Sequence, residues 1–303
     1  MITIPPYLQK GDTIGIVAPA GYMAIEKMGT CIETLDAWGY NVELGDTTHS
    51  HSSNYFSGTD DERLADLQRM LDDKNIKAIL CARGGYGTSR IIDRISFKKF
   101  RKRPKWIIGF SDITVLHAHL LRKYKTASMH APMAAAFNDG GWNDPYVGSL
   151  RSALDGTPSR YSCTSHSLNR EGACEGVLIG GNLSLLAHLI GTPSEPDPKK
   201  KILFLEDIGE HIYSIDRMMV QLKRCGWFDK LAGLVIGGFT DMKDTERPFG
   251  KPVEEVIYEH IAPYDFPVCF GFPVSHEKEN VALKIGVAHS IEVKGDGVKL
   301  EER

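Results

Sequence analysis

The sequence predicts an α/β protein: an N-terminal doubly wound, mostly parallel sheet domain and a smaller C-terminal α/β domain with a closing antiparallel hairpin. Three observations predict it. Short apolar runs of strand length alternate with helical stretches through most of the 303 residues, the pattern of a parallel sheet covered on both faces. From 146 to 175 the pattern lapses into Ser, Thr, Gly, Arg and Asn, a connecting segment between a domain at 1–145 and another at 176–303. A Gly295-Asp296-Gly297 turn within the alternating residues 281–300 marks the hairpin.

Residues 13–20 (TIGIVAPA) form a buried-strand run, and 25–38 carry apolar residues at helical spacing. A second strand is expected at 40–44. Residues 60–71 (DDERLADLQRML) read as a helix with acidic residues in its first turn, where the helix dipole favours them. Strands at 76–82, 106–110 and 126–130 alternate with helices at 89–95 and 112–124. A short helical stretch at 146–154 interrupts the connecting segment. In the second half, strands are expected at 176–179, 201–205, 231–236 and 268–272, and helices at 182–190, 214–223 and 253–261.

With 42% hydrophobic and 25% charged residues, the composition is that of an ordinary soluble protein. A net charge of -3 gives no electrostatic footprint for nucleic acid or an anionic membrane. No basic stretch followed by an apolar one opens the chain, and no apolar run approaches the roughly 20 residues of a membrane span. The six cysteines, Cys31, Cys81, Cys163, Cys174, Cys225 and Cys269, form no CxxC pair, so neither a zinc site nor a disulfide framework is expected. The chain reads as cytoplasmic.

Three polar positions follow strand-like runs and so fall at the C-terminal edge of a sheet, where open α/β sheets form their crevices. They are Ser111 in Gly109-Phe110-Ser111-Asp112, Glu206 in Leu205-Glu206-Asp207 and His276 in Val274-Ser275-His276. A hydroxyl, a carboxylate and an imidazole are the parts of a nucleophilic triad. Ser111 stands where a sharp strand-to-helix turn exposes the side chain, but Ile113 replaces the second glycine of a G-x-S-x-G elbow, and the same serine also reads as a helix cap. Taken singly, Glu206-Asp207 also reads as a solvated loop and His276 as an exposed loop histidine. Arg83-Gly84-Gly85-Tyr86-Gly87 follows another strand, and its glycines free amides to face a ligand, although a plain tight turn has the same composition. Arg83 is a candidate for holding a substrate carboxylate, with Tyr86 beside it as a second substrate-binding candidate. His117, His119, His188 and His260 lie in helical stretches and read as packing or surface groups. His130 ends a strand and is a candidate to line the cleft.

Together these segments resemble the LD-carboxypeptidase family of serine peptidases, also called the muramoyltetrapeptide carboxypeptidase family. The matching stretches are IGIVAP (14–19), FSGTDDERLADL (56–67), ARGGYG (82–87), GFSDIT (109–114), HAPM (130–133), GGNLSLL (180–186), FLEDIGEHIYSIDR (204–217) and FPVSHEKENVALKIG (272–286), in the family's order. The resemblance implies Ser111 as nucleophile, His276 as base, Glu206 as its orienting carboxylate, and an oxyanion hole from the amides of Gly85 and Asp112. It implies a murein tetrapeptide as substrate, cut between the L-centre of a diamino acid and the terminal D-alanine, with no metal or organic cofactor, by a homodimer. Two departures stand out: Ser275 occupies a position that is usually Gly, and Glu277-Lys278-Glu279 is unusually charged. A close alternative is the immunity branch of the same family, which cleaves the amide of microcin C-type peptidyl-nucleotides using added aromatic residues, for which Trp142 is the one candidate here. An alternative of another class is a non-catalytic two-lobed binder of small ligands, which has no need of Ser, Glu and His at three strand ends.

Overall fold

In the computed structural model, which describes residues 1–303, the strands form two sheets, and the runs that are apolar on both faces supply their central ones. Each sheet belongs to its own unit, the first formed by Met1–Thr157 and Val281–Ile285, the second by Pro158–Asn280 and Gly286–Arg303. In the first unit β1 (Thr13–Val17), β2 (Asn41–Leu44), β3 (Ile76–Cys81), β4 (Trp106–Gly109) and β5 (Ser128–His130) lie parallel in the order β2-β1-β3-β4-β5. β11 (Leu283–Ile285) adds antiparallel to β5. Helices α1 (Gly29–Ala37), α2 (Asp60–Asp72), α3 (Thr88–Ile91) and α4 (Thr114–His119) follow the first four strands in turn, and α5 (Pro145–Leu154) comes after β5. Ile14, Ile16, Ile79, Leu80, Ile107 and Ile108 are at most 1% exposed, as a sheet covered on both faces requires.

The strand order reverses between β1 and β3. Such a switch point is where the loops leaving neighbouring strands separate and leave a crevice. Here those two loops are tied together: Gly21 N donates to Gly84 O at 3.0 Å, and Arg83 Nη1 donates to Tyr22 O at 2.7 Å. A further tie comes from α2. Its start is set by a capping box in which Glu62 N donates to Thr59 Oγ1 and Thr59 N to Glu62 Oε2. Its buried face carries Leu67, Met70 and Leu71, and also Arg63, which is 0% exposed. The Arg63 guanidinium donates from Nη1 to Pro19 O (2.6 Å) and Gly87 O (3.1 Å), pairs with Asp60, and lies 4.8 Å from the Phe56 ring. One cation thus holds the loops after β1 and β3 from beneath.

In the second unit β7 (Gly172–Asn182), β8 (Lys201–Ile208), β9 (Gly233–Thr240) and β10 (Val268–Cys269) are parallel. β12 (Ala288–Lys294), β13 (Gly297–Glu302) and β6 (Arg160–Cys163) continue the sheet antiparallel from β7, giving the order β10-β9-β8-β7-β12-β13-β6. Helices α6 (Leu183–Leu189), α7 (Ile212–Arg224) and α8 (Val253–Ile261) follow β7, β8 and β9. The expected terminal hairpin is β12–β13.

Three details differ from the sequence expectation. Residues 281–285 leave the second unit to pair with β5; Val281 to Ile285 are all buried, whereas a hairpin with one solvated face alternates. The connecting segment at 146–175 holds, besides its expected short helix, a strand where loop was expected. Asp144 caps α5 by accepting from Tyr146 N and Val147 N, and β6 is a half-exposed edge strand whose polar alternation reads as loop. β8 continues past 205, with a register shift against β9 between Leu205 and Asp207 that gives Glu206 no partner on that side.

Arg63→Met should leave the buried Pro19 carbonyl without its donor and the Gly87 carbonyl with Arg90 N alone, at a cost of about 3 kcal/mol. A melting temperature roughly 6–12 °C below that of the parent is the expected result, and an unchanged one would deny Arg63 its clamping role.

Candidate active site

β4 ends at Gly109, and the chain turns sharply. Ser111 has φ +62, in the left-handed region that a residue with a side chain occupies at a cost of about 1–2 kcal/mol. Residues Ser111–Ile113 then form a tight turn that leads into α4. This strand–turn–helix backbone has the form that a nucleophile elbow takes, with Ile113 in the place of the second glycine. Ile113 packs on the first one: a Cβ at Gly109 would lie 3.0 Å from Ile113 Cγ1. His117 supports the turn from within, with Nε2 2.8 Å from Gly109 O and Nδ1 2.8 Å from Ser128 Oγ. Because a carbonyl only accepts, Nε2 carries the proton and Nδ1 accepts from the Ser128 hydroxyl. Burial pushes the His117 pKa down to about 4, so the ring is neutral at pH 7.

The glycine loop after β3 lies against this turn. A Cβ on Gly84 would stand 2.8 Å from Ser111 Cβ, 3.1 Å from Ser111 Oγ and 3.2 Å from Asp112 N, so no larger residue fits beside the hydroxyl. Gly85, with φ +94, carries the next amide of the loop. Asp112 is fully buried, and its Oδ2 accepts from Thr88 N at 2.8 Å, fastening the far end of the loop to the residue after the serine. Burial raises the Asp112 pKa against the opposing effect of the Thr88 and Gly87 groups and the Arg63 charge. Arg83 and Tyr86 sit on the exposed side of the loop, Tyr86 at 47% exposure with its ring 5.9 Å from that of Phe56. His130 is fully buried on β5 opposite Gly109, 5.6 Å from the Phe110 ring. Trp142 is 60% exposed.

The second unit brings together the other two expected residues. Glu206 is 0% exposed on β8, and its Oε2 lies 2.6 Å from His276 Nδ1. Its sequence neighbour Asp207 has different partners: Asn182 Nδ2 and Ser184 N, at the start of α6, and Ile208 N, next to it on β8, all donate to it at 2.8–2.9 Å. Burial and the adjacent Glu206 charge push the Asp207 pKa up to about 6. Of the two carboxylates, Glu206 alone holds the histidine. The loop bearing His276 is fixed by Gly237 and Gly238 of β9: Gly238 N donates to Val274 O at 2.9 Å, and a Cβ on Gly237 would lie 2.2 Å from that oxygen. Ser275 is buried rather than disruptive. Its hydroxyl donates to Glu279 O and accepts from Glu277 N, both at 3.0 Å, closing the loop on itself.

Burial alone would lower the His276 pKa, but the Glu206 hydrogen bond and the charges of Glu206 and Asp207 outweigh it, and the net shift is upward from 6.5. The folded chain therefore binds the proton more tightly than the unfolded one. The stability this contributes is complete below pH 6.5 and is lost as the pH rises through the raised value. In an NMR titration His276 should lose its proton above pH 6.5, and Glu206→Gln should move that midpoint down; an unmoved midpoint would show that Glu206 does not set it.

His117 and Arg63 are the supports that sequence reading missed. Each occupies a helical position that a periodicity argument assigns to generic packing or to solvent. No group of three or more His, Cys, Asp or Glu side chains is arranged to hold a metal ion.

Comparison with known proteins gives the family. The description "LD-carboxypeptidase N-terminal domain" matches residues 14–131, and "LD-carboxypeptidase C-terminal domain" matches 175–291. The chain is 38% identical to the "Probable murein peptide carboxypeptidase" of Bacillus subtilis, over 93% of this chain and 89% of the relative. It is 29% identical to the "Murein tetrapeptide carboxypeptidase" of Pseudomonas aeruginosa, over 90% of this chain and 91% of the relative. Among solved structures, the muramoyltetrapeptide carboxypeptidase from Oxalobacter formigenes superposes with a TM-score of 0.86 at 30% identity, covering 96% of this chain and 98% of that one. With both of its domains matched and a relative of this similarity along nearly its whole length, the chain belongs to the LD-carboxypeptidase family.

Proposed function

We propose that the protein is a serine carboxypeptidase that removes the terminal D-alanine from murein tetrapeptides, cutting the amide that joins it to the L-centre of the preceding diamino acid. The observation that carries the reading is the left-handed backbone of Ser111, a strained conformation whose evident use is to lift one hydroxyl clear of the chain at a strand end. In the mechanism, His276 Nε2 takes the Ser111 proton as the oxygen attacks the amide carbonyl. Glu206, bonded to Nδ1, holds the tautomer that leaves Nε2 basic and stabilises the imidazolium that forms. The amides of Gly85 and Asp112 stabilise the tetrahedral oxyanion. His276 then protonates the departing D-alanine nitrogen, and water, deprotonated by the same imidazole, releases the acyl-enzyme. Arg83 and Tyr86 on the exposed side of the glycine loop are the residues proposed to meet the substrate, Arg83 through the free carboxylate that defines a carboxypeptidase substrate.

The murein substrate is supported by the similarity to the two murein peptide carboxypeptidases and to the muramoyltetrapeptide carboxypeptidase of Oxalobacter formigenes. The reading includes a homodimer acting in the cytoplasm, in peptidoglycan recycling; no helix is long and apolar enough to cross a membrane. Sedimentation at micromolar concentration tests the dimer directly.

The deciding experiment measures D-alanine release from a synthetic murein tetrapeptide. Ser111→Ala should lower turnover by about a million-fold with the fold intact. Since the base works only when neutral, kcat/KM should rise with pH through an acid limb whose midpoint lies above 6.5, the direction of the His276 shift, and Glu206→Gln should move that limb to lower pH. An inert tetrapeptide together with cleavage of a peptidyl-nucleotide amide would transfer the chain to the immunity branch. Tight binding without turnover, unaffected by Ser111→Ala, would make it a binder.

A further inference from the structure

The seven-stranded sheet of the second unit begins at β10 and ends at β6, yet these two edges meet. Cys163, the last residue of β6, and Cys269, the last of β10, have their Sγ atoms 3.8 Å apart although they lie 106 positions apart in the chain. The approach is not confined to the sulfurs. Arg170 and Val268 exchange both backbone hydrogen bonds, at 3.0 and 3.1 Å, and Phe270 N donates to Asn169 Oδ1 at 2.7 Å. His166 stacks on Phe270 at 5.6 Å, and Tyr161 meets Phe272 edge-on. The sheet is therefore curled until its edges touch, and both edges contribute a free thiol at the seam.

We propose that Cys163 and Cys269 are a thiol–disulfide modification site, oxidised by small-molecule disulfides of the glutathione type to an internal bond that joins the two edges of the sheet. Sulfurs already in van der Waals contact need only a small side-chain rotation to reach the S–S distance of about 2.05 Å. The two thiols are unequal in a useful way. Cys163 is half-exposed and open to a reagent, while Cys269 is buried behind it. The hydrogen bond from Cys269 holds the Cys163 thiol below its ordinary pKa, which increases its thiolate fraction, and raises that of Cys269 together with burial. In the first step the Cys163 thiolate attacks one sulfur of the reagent disulfide, forming a mixed disulfide and expelling one reagent thiolate. In the second, Cys269 loses its proton to water and its sulfur attacks Cys163 Sγ, expelling the second reagent thiolate. Two protein thiols are oxidised, one reagent disulfide is reduced to two thiols, and the buried partner makes the second step the slow one.

The test uses the full chain in a Cys225→Ser background, because Cys225 is the exposed thiol. After incubation with oxidised glutathione at pH 8, the native protein should lose two titratable thiols and about 2 Da of mass, with a 163–269 cross-linked peptide after digestion. Its melting temperature should rise by roughly 5–15 °C, since the bond closes a long loop in the unfolded chain, and dithiothreitol should reverse the rise. Adding Cys163→Ser, a change at a half-exposed position, should abolish the cross-link and leave the reduced melting temperature in place. A lasting adduct of about 305 Da on Cys163, an unmodified pair, or a 2 Da loss that survives Cys163→Ser would each overturn the proposal.

Discussion

A single backbone angle governs the first unit. Ser111 at φ +62 is costly for any residue with a Cβ, so the conformation persists only where the surroundings over-determine it. Each neighbour removes one way out. Ile113 fills the space over Gly109, His117 fixes the Gly109 carbonyl, and Gly84 leaves no room for the serine side chain to fall back. Asp112, fully buried, fastens the next residue to Thr88 at the end of the glycine loop. The glycine loop is itself held by Arg83 from one side and Arg63 from the other. The strain at one residue is thus balanced by contacts reaching back to α2, more than forty residues earlier in the chain.

The second unit prepares its residues by electrostatics rather than by strain. Two carboxylates adjacent on one strand, both buried, are separated in role by the alternation of side chains. Asp207 is given two donors at the start of α6 and one from its own strand, while Glu206 has the imidazole. An imidazole buried without a carboxylate titrates low, as His117 does at about 4. The same ring type beside Glu206 moves the other way. The contrast separates the two causes: burial is common to both histidines, and the charge-assisted hydrogen bond decides the sign.

What was legible in the sequence follows from this difference in range. Most of the parallel strands were legible because burial on both faces makes a continuous apolar run, and α2 because acidic residues crowd its first turn. The end of β4 and the loop after β10 were legible because a polar residue closes an apolar run, whereas β8 runs on past the expected end at 205 to Ile208. Arg63 was not, since an arginine three residues into DDERLADLQRML reads as part of a solvated face until Pro19 O and Gly87 O are seen above it. Nor was Lys284, fully buried within residues 281–285, where pairing with β5 replaces the hairpin that alternation implies. Ser275 shows the reverse case. A departure from a family's usual glycine looks disruptive in sequence, but its hydroxyl supplies the two hydrogen bonds that hold the loop.

His276 illustrates how a loop residue is positioned as firmly as one on a strand. β10 is only two residues long, so the sheet stops guiding the chain at Cys269. Beyond it, Phe272 N still donates to Ile236 O, and Gly238 N to Val274 O, so the departing segment remains bonded to β9 for five more residues. That continuation depends on Gly237, where any side chain would collide with the Val274 carbonyl. Ser275 then closes the turn, and Glu206 takes the imidazole at the point where the register shift in β8 leaves it without a partner on β9. The bulge, the paired glycines and the serine are each irregular when taken as sheet or loop. Together they form a rigid mount for one nitrogen of one ring, which is what the role of base proposed for His276 requires.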